Sequence, residues 1–123
     1  MIDRVLIIDD NTGLLELSKE VLEGHNYNVL IADNGISGIA LFESCYVTVS
    51  CVICDIDLPD ITGFEVVKKL RSIDSKVPIL IWSGNDDKLA LMQQNGYHTL
   101  PKPFRVHVFV NAVESIKRET FLP

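Results

Sequence analysis

Residues 50–57 read SCVICDID, a short apolar run that ends in two carboxylates, Asp55 and Asp57. A run of this length that contains β-branched residues is typical of a strand buried on both faces of a sheet. Similar runs occur elsewhere in the chain, namely VLII at 5–8, YNVLIA at 27–32, PILIW at 78–82 and the weaker YHTL at 97–100. The sequence therefore predicts five strands, and residues 50–54 form the third of them.

Segments with helical spacing separate the predicted strands. Their apolar residues recur at helical intervals, as at Leu14, Leu17 and Val21, then at Phe64, Val67 and Leu70, and finally at Val106, Phe109, Val110, Val113 and Ile116. Gly24 is expected to end the first helix, and Thr62 to cap the third. The fourth helix is expected to begin at Asn85 or Asp86, whereas residues 36–42 have the weakest helical pattern.

Strands that alternate with helices predict a parallel sheet with right-handed crossovers and helices on both faces, which is the doubly wound α/β class. No linker, repeat or low-complexity stretch divides residues 1–123, so we expect one domain. Only a short tail, KRETFLP, follows the last predicted helix, and no output domain is expected within this chain. Ligands of such sheets bind beyond the carboxyl ends of the strands, where we expect the functional residues.

Polar residues follow four of the predicted strands at that edge. The segments are Asp9-Asp10-Asn11, Asp55-Ile56-Asp57, Ser83-Gly84-Asn85 and Lys102-Pro103-Phe104. On their own, Asp9 and Asp10 would be explained by a solvated turn that caps a helix. Because Asp55 ends a neighbouring strand, however, several carboxylates meet at one place. Such a group is tolerated where a hard divalent cation binds, and Mg2+ is the natural candidate.

Asp55, Ser83 and Lys102 together form a pattern that suits phosphoryl transfer. A carboxylate can act as a nucleophile toward phosphorus and form an aspartyl phosphate. The transferred group spreads negative charge over its oxygens, so it needs positioning and positive charge. Lys102 and Mg2+ would supply that charge, and Ser83 could donate a hydrogen bond to a phosphoryl oxygen. The residues therefore favour Asp55 as the acceptor of a phosphoryl group.

Four stretches of the chain resemble the receiver domains of bacterial two-component response regulators. They are LIIDDN at 6–11, CDIDLPDITGFEVVKKLR at 54–71, ILIWSGNDD at 79–87 and PKPF at 101–104. The resemblance covers essentially the whole chain, residues 1–123, and implies a flavodoxin-like, five-stranded parallel sheet in the order 2-1-3-4-5. It also implies Mg2+-dependent transfer of a phosphoryl group from a phosphohistidine donor to Asp55, which shifts the domain to an active state.

The resemblance implies further roles for single residues and for partners. Asp10 and Asp55 would ligate Mg2+ directly, and Asp9 would act partly through water. The backbone carbonyl of Asp57 would be a further ligand, and the Lys102–Pro103 bond would be cis. A histidine kinase or phosphotransfer protein would act upstream, and an effector protein or fused output domain downstream. The domain would be a regulator, not an enzyme, because it would catalyse only its own phosphorylation and dephosphorylation.

Thr99 departs from the family pattern, which usually has Tyr or Phe three residues before the lysine. That ring turns inward on activation, and here Tyr97 and His98 are offset from its position. We therefore expect activation to be signalled by the loop after Ser83 and the helix that follows it.

Asp57 and Asn85 match family positions that flank the path of water toward the acyl phosphate. They are expected to set its lifetime, although a solvated loop carboxylate explains Asp57 equally well. Trp82 precedes Ser83 in the fourth strand and so points to the opposite face of the sheet. Trp82 is therefore interpreted as a packed residue.

Composition excludes several classes of partner. The formal net charge of -6 argues against nucleic acid as a ligand of this domain. No apolar run approaches the roughly 20 residues that span a bilayer, and no signal-peptide pattern follows Met1, so cytoplasmic residence is expected. Cys51 and Cys54 form a C-x-x-C motif, but residues three apart face opposite sides of a strand. They are interpreted as core cysteines and not as a metal or redox site.

Two other functions stay open. The pair Asp55-x-Asp57 also resembles the nucleophile motif of haloacid-dehalogenase-type phosphatases, although Pro59 stands where that family has a hydroxyl residue. A non-phosphorylated pseudo-receiver that only binds proteins would normally have lost one or more site residues, and all of them are present here. Dinucleotide binding is disfavoured because no G-x-G-x-x-G follows the first strand. A stand-alone receiver and a piece of a longer regulator both fit the sequence.

Overall fold

One parallel sheet with helices on both faces makes up the computed structural model, which describes residues 3–120. The strands are β1 (Arg4–Ile8), β2 (Asn28–Ala32), β3 (Val49–Asp55), β4 (Ile79–Ser83) and β5 (His98–Pro101). The helices are α1 (Thr12–Glu23), α2 (Gly35–Cys45), α3 (Gly63–Ile73), α4 (Asp86–Gln94) and α5 (Val106–Ile116). The strands pair in the order β2-β1-β3-β4-β5. The predicted doubly wound fold is confirmed.

The helix caps explain where the helices begin. The side chains of Thr62 and Asn85 accept hydrogen bonds from backbone N–H groups in the first turns of α3 and α4, as predicted. Asn34 does the same for α2, whose helical pattern was the weakest in the sequence. α2 packs through glycine: a Cβ at Gly38 would lie 2.5 Å from Cδ1 of Ile8. A pattern of large apolar residues does not reveal such a contact.

The core has two layers, one on each face of the sheet. Helices α2, α3 and α4 cover one face, where Phe42 packs against strand residues that include Ile8 and Cys54. Helices α1 and α5 cover the other face, where Phe109 packs with Trp82. Because side chains alternate along a strand, Cys51 lies in this second layer while Cys54 lies in the first. The core interpretation of both cysteines and of Trp82 is confirmed.

Arg118 holds the end of the described chain against the amino edge of the sheet. Its backbone N–H donates to the Ser50 carbonyl at 3.1 Å. Its guanidinium donates to the Asp74 carboxylate at 2.5 Å and to the Val49 carbonyl at 3.1 Å. This anchoring lies at the end of the sheet opposite to the polar strand ends. Within residues 3–120, no helix has the length and apolar character needed to cross a membrane.

Candidate functional site

Asp9 and Lys102 form the buried centre of the site. Asp9 directly follows β1 and is fully buried, and its backbone N–H donates to the Ala32 carbonyl of β2. One carboxylate oxygen of Asp9 accepts the backbone N–H of Asn11 at 2.8 Å, and the other accepts Nζ of Lys102 at 2.6 Å. The ammonium thus compensates a carboxylate that has no access to bulk water.

Asp55 is the last residue of β3 and lies beside the same ammonium. Its Oδ2 is 3.5 Å from Nζ of Lys102, and its Oδ1 accepts the backbone N–H of Asp57 at 3.1 Å. Burial raises the pKa of Asp55 to about 6. The Asp57 N–H and Lys102 oppose this rise, whereas the neighbouring Asp9 charge adds to it. The charged form of Asp55 is therefore destabilised, which is common for carboxylates in functional sites.

Ser83 ends β4 and is tied to the segment that carries Lys102. The Ser83 carbonyl accepts the backbone N–H of Lys102 at 2.8 Å, and the Ser83 hydroxyl oxygen accepts the N–H of Asn85 at 3.0 Å. Since a hydroxyl can donate while it accepts, its proton is available to a further acceptor. The Lys102–Pro103 peptide bond is cis, as the family resemblance implied.

Three carboxylates converge beside Lys102. One oxygen from each of Asp9, Asp10 and Asp55 lies within 4.8 Å of the other two. Asp10 is exposed, while the other two are buried. Carboxylate oxygens are the ligands that Mg2+ prefers, and a cation that keeps part of its water shell needs one side of the site open. The donor set and its mixed exposure fit Mg2+.

The loop after Asp55 returns tightly against its own strand. The Gly63 N–H donates to the Ile56 carbonyl at 2.9 Å, and a Cβ on Gly63 would lie 2.6 Å from the Asp55 carbonyl oxygen. Only glycine allows this close approach. In the same loop, the Asp60 carboxylate accepts the N–H groups of Gly35 and Ile36 at 2.9 and 2.8 Å. The loop is therefore attached to the start of α2.

The remaining predicted residues lie around this centre. Asp57 is exposed and forms an ion pair with Lys88 of α4 across the mouth of the site. Asn85 caps α4, as described above, and Thr99 lies in β5 opposite Ile81 of β4. Tyr97 packs toward α3, where the Arg71 guanidinium lies 5.6 Å from its ring centroid. The role of Thr99 in activation stays a prediction.

Three contacts of the site were missed by reasoning from the sequence. These are the Lys88–Asp57 ion pair, the cap that Asp60 provides for α2, and the position of Lys102 over the ring of Trp82. Each joins residues that lie far apart in the sequence through the end of at least one side chain. The sequence carries no local signal for such contacts, although the basic residue in the first turn of α4 is visible once that helix is placed.

Comparison with known proteins identifies the class. A sequence model described as the response regulator receiver domain matches residues 5–114. The chain is 31% identical over 119 residues to the probable transcriptional regulatory protein TcrX of Mycobacterium tuberculosis, which covers 94% of this chain and 50% of TcrX. It is 30% identical over 120 residues to the cell cycle response regulator CtrA of Brucella ovis, with 95% and 51% covered. The chain belongs to the response regulator receiver domain family.

A solved structure supports the same assignment. The response regulator TrrA of Thermotoga maritima, in complex with Mg(2+)-BeF, superposes with a TM-score of 0.83 at 25% identity, and the match covers 93% of this chain and 98% of TrrA. This chain is thus a regulatory domain of phosphorelay signalling, and the match disfavours the phosphatase alternative. It spans about half the length of the curated relatives it matches.

Proposed function

We propose that Asp55 is the phosphoacceptor of this receiver domain and that it takes the phosphoryl group from a phosphohistidine donor with the help of Mg2+. The observation that carries the proposal is the position of Asp55. Its carboxylate ends a buried strand, lies 3.5 Å from the Lys102 ammonium, and shares a pocket with the carboxylates of Asp9 and Asp10. A nucleophile, a cation and a set of metal ligands are thereby within reach of one another.

The proposed metal ligands are Asp9, Asp10, Asp55 and the backbone carbonyl of Asp57. When bound, Mg2+ would neutralise these carboxylates and the oxygens of the incoming phosphoryl group. The complex of TrrA with Mg(2+)-BeF supports this assignment, because that receiver shares the fold of this chain at 25% identity. Lys102 contributes a second positive charge from the buried side, where Asp9 already holds it.

The transfer step follows from the chemistry of Asp55. A carboxylate oxygen of Asp55 forms a bond to phosphorus while the bond between phosphorus and the donor imidazole nitrogen breaks, and that nitrogen keeps the electron pair. Lys102 stabilises the charge on the equatorial oxygens, and the Ser83 hydroxyl donates to one of them. Asp55 must be ionised to attack, and the positive charges of Lys102 and of bound Mg2+ would both favour the ionised form.

Asp57, Asn85 and Thr99 are proposed to modulate the phosphorylated state. Asp57 and Asn85 flank the site, and the Lys88 ammonium neutralises the charge of Asp57. Thr99 offers no ring that could turn inward, which supports a signal that runs through the loop after Ser83.

Partners are proposed from family membership. A histidine kinase or a phosphotransfer protein would supply the phosphoryl group, and an effector protein or a fused output domain would receive the signal. We treat residues 1–123 as one receiver domain in either arrangement.

The mass of the intact protein after incubation with acetyl phosphate tests the proposal. The wild type is expected to gain about 80 Da, the mass of one phosphoryl group, only when Mg2+ is present. The Asp55→Asn variant is expected to gain nothing. A wild type without a mass gain would support the pseudo-receiver alternative, and release of more than one equivalent of phosphate from an ester substrate would support the phosphatase.

A further inference from the structure

Among residues 3–120, the Lys102 ammonium lies beside three groups, of which two are the carboxylates of Asp9 and Asp55. The third is the indole ring of Trp82, whose centroid lies 5.3 Å from Nζ. A cation within about 6 Å of an aromatic ring is attracted to the negative face of that ring, and tryptophan gives the strongest such interaction. The ring therefore forms a wall of the pocket in which the ammonium lies between Asp9 and Asp55.

Trp82 is held rigidly in this position. It is fully buried in β4, where its backbone lies opposite Asp55 on one side and Leu100 on the other. Its ring stacks on Phe104 at a centroid distance of 5.3 Å with an interplanar angle of 17°, and it contacts Phe109 of α5 at 5.6 Å. A ring fixed by the sheet and by two aromatic neighbours cannot turn away from Lys102 without disturbing the core.

Packing alone explains a tryptophan at this position poorly. Its Nε1 is buried and has no hydrogen-bond acceptor among residues 3–120. A buried donor without a partner costs about 1–3 kcal/mol. Phenylalanine or methionine would fill an apolar core without this cost. The contact of the ring with the Lys102 ammonium is the interaction that sets this tryptophan apart from an ordinary core residue.

We propose that Trp82 is a positioning residue for phosphoryl transfer, because the face of its ring keeps the Lys102 ammonium next to Asp55. This inference rests on the proposed function of Asp55. Trp82 touches no reacting atom and acts only through Lys102. Without the ring, the ammonium would still pair with Asp9 but would be free to leave the position from which it reaches Asp55.

Three variants separate positioning from packing. Trp82→Met fills the space with a flexible apolar chain but has no ring face. Trp82→Phe keeps a smaller ring. Phe42→Leu removes a fully buried ring from the core layer on the opposite face of the sheet, so it is the control for packing. The readout is the initial rate of the mass gain with acetyl phosphate and Mg2+, measured together with the urea midpoint of unfolding.

The rate of Trp82→Met is expected to fall about 3- to 30-fold, which corresponds to the loss of one cation–π contact. Trp82→Phe is expected to recover most of that loss. Phe42→Leu is expected to lower the unfolding midpoint while its rate stays within about twofold of the wild type. Equal rate losses in Trp82→Met and Phe42→Leu, or no loss in Trp82→Met, would overturn the inference.

The NMR chemical shift of Lys102 tests the contact with the indole ring in the wild-type protein, and one variant is needed only to assign the signal. In protein with 13C-labelled lysine, the Lys102 methylene protons next to Nζ are expected to resonate upfield of the other lysines because of the indole ring current. The signal is assigned by its loss in Lys102→Arg. A Lys102 signal at the ordinary lysine position would overturn the inference even if the mass gain occurs. A wild type that gains no mass, with the upfield signal present, would instead refute the proposed function of Asp55.

Discussion

The two edges of the sheet hold charged residues in opposite ways. At the carboxyl edge, the carboxylates of Asp9 and Asp55 share the Lys102 ammonium, and burial raises the pKa of Asp55 to about 6. At the amino edge, burial also acts on Asp74, but the hydrogen bonds from Arg118 and from the Lys76 backbone outweigh it and hold the pKa of Asp74 below its ordinary value. The first arrangement destabilises a carboxylate, and the second stabilises one.

This difference separates the chemistry of the domain from its stability. A buried carboxylate whose negative charge is only partly compensated is stabilised when it binds a cation or forms a bond to phosphorus. A carboxylate that is fully hydrogen-bonded has nothing to gain from a ligand. The amino edge therefore anchors the chain, while the carboxyl edge is where we expect ligands to bind.

Removal of the Lys102 ammonium should have the largest effect, and the quantity affected is the rate of phosphorylation. Lys102→Ala deletes the cation that faces Asp9 and Asp55, and we expect the initial rate of phosphorylation by acetyl phosphate to fall about 100-fold, as for the loss of one preorganised donor. Lys117→Ala is the matched control, because Lys117 pairs with Asp3 at 3.3 Å outside the site. Similar losses in both variants would show that the two edges do not differ in function.

Removal of the guanidinium should affect stability alone. Arg118→Ala removes the guanidinium that donates to Asp74 and to the Val49 carbonyl, and we expect the free energy of unfolding to fall by about 2–3 kcal/mol. The rate of phosphorylation is expected to be unchanged. Urea denaturation measures the loss, with Lys69→Ala on the exposed surface of α3 as the control. A slower phosphorylation in Arg118→Ala would mean that the edges are coupled.

The two carboxylates should respond to pH with opposite signs. Between the ordinary pKa and about 6, folded Asp55 binds more protons than unfolded Asp55, so its contribution to stability is lost as pH rises through that window. Asp55→Asn should therefore stabilise the metal-free protein by about 1–2 kcal/mol near pH 7.5 but not near pH 4. Folded Asp74 has a lowered pKa, so its contribution is present at pH 7.5 and is lost as pH falls.

Urea denaturation of Asp55→Asn and Asp74→Asn in the presence of a chelator tests these signs. Asp74→Asn is expected to be less stable than the wild type near pH 7.5, and the free energies of unfolding of these two proteins should become equal in acid. The same sign of change in both variants at pH 7.5 would remove the contrast between the edges.

The exposed ion pair at the mouth of the site should have the smallest effect. Lys88→Met leaves the charge of Asp57 uncompensated beside the phosphorylated Asp55, and repulsion should shorten the half-life of the acyl phosphate. Exposed ion pairs contribute up to about 1 kcal/mol, so we expect a change of about fivefold or less. The double variant Asp57→Asn, Lys88→Met should restore the half-life, and a decay that is the same in all three proteins would exclude a role for the pair.

The fold and the residues at the strand ends could be predicted because both depend on the path of the backbone. Parallel strands place their carboxyl ends at one edge, so the pattern of apolar runs is enough to bring Asp9, Asp55, Ser83 and Lys102 together. The strand limits were nearly right: Asp55 and Ser83 are the last residues of β3 and β4, not the first residues after them. An error of one residue in a predicted strand boundary still leaves these side chains at the same edge of the sheet.

Contacts between the ends of long side chains could not be predicted in this way. Lys88 and Asp57 are 31 residues apart, and their pairing depends on the start of α4 and on the rotamer of the lysine. The interpretation of Trp82 as a packed residue was correct but incomplete. Strand alternation placed its ring on the face opposite to Ser83 without revealing that the Lys102 ammonium lies over that ring.

The position of the phosphoryl group is the most direct test of the central claim. Borohydride reduces an acyl phosphate to the alcohol, so a phosphorylated aspartate becomes homoserine, which peptide mass spectrometry can locate. After treatment with acetyl phosphate and Mg2+, we predict homoserine at position 55 and at no other aspartate. Homoserine at Asp9, Asp10 or Asp57 in place of Asp55 would contradict the account.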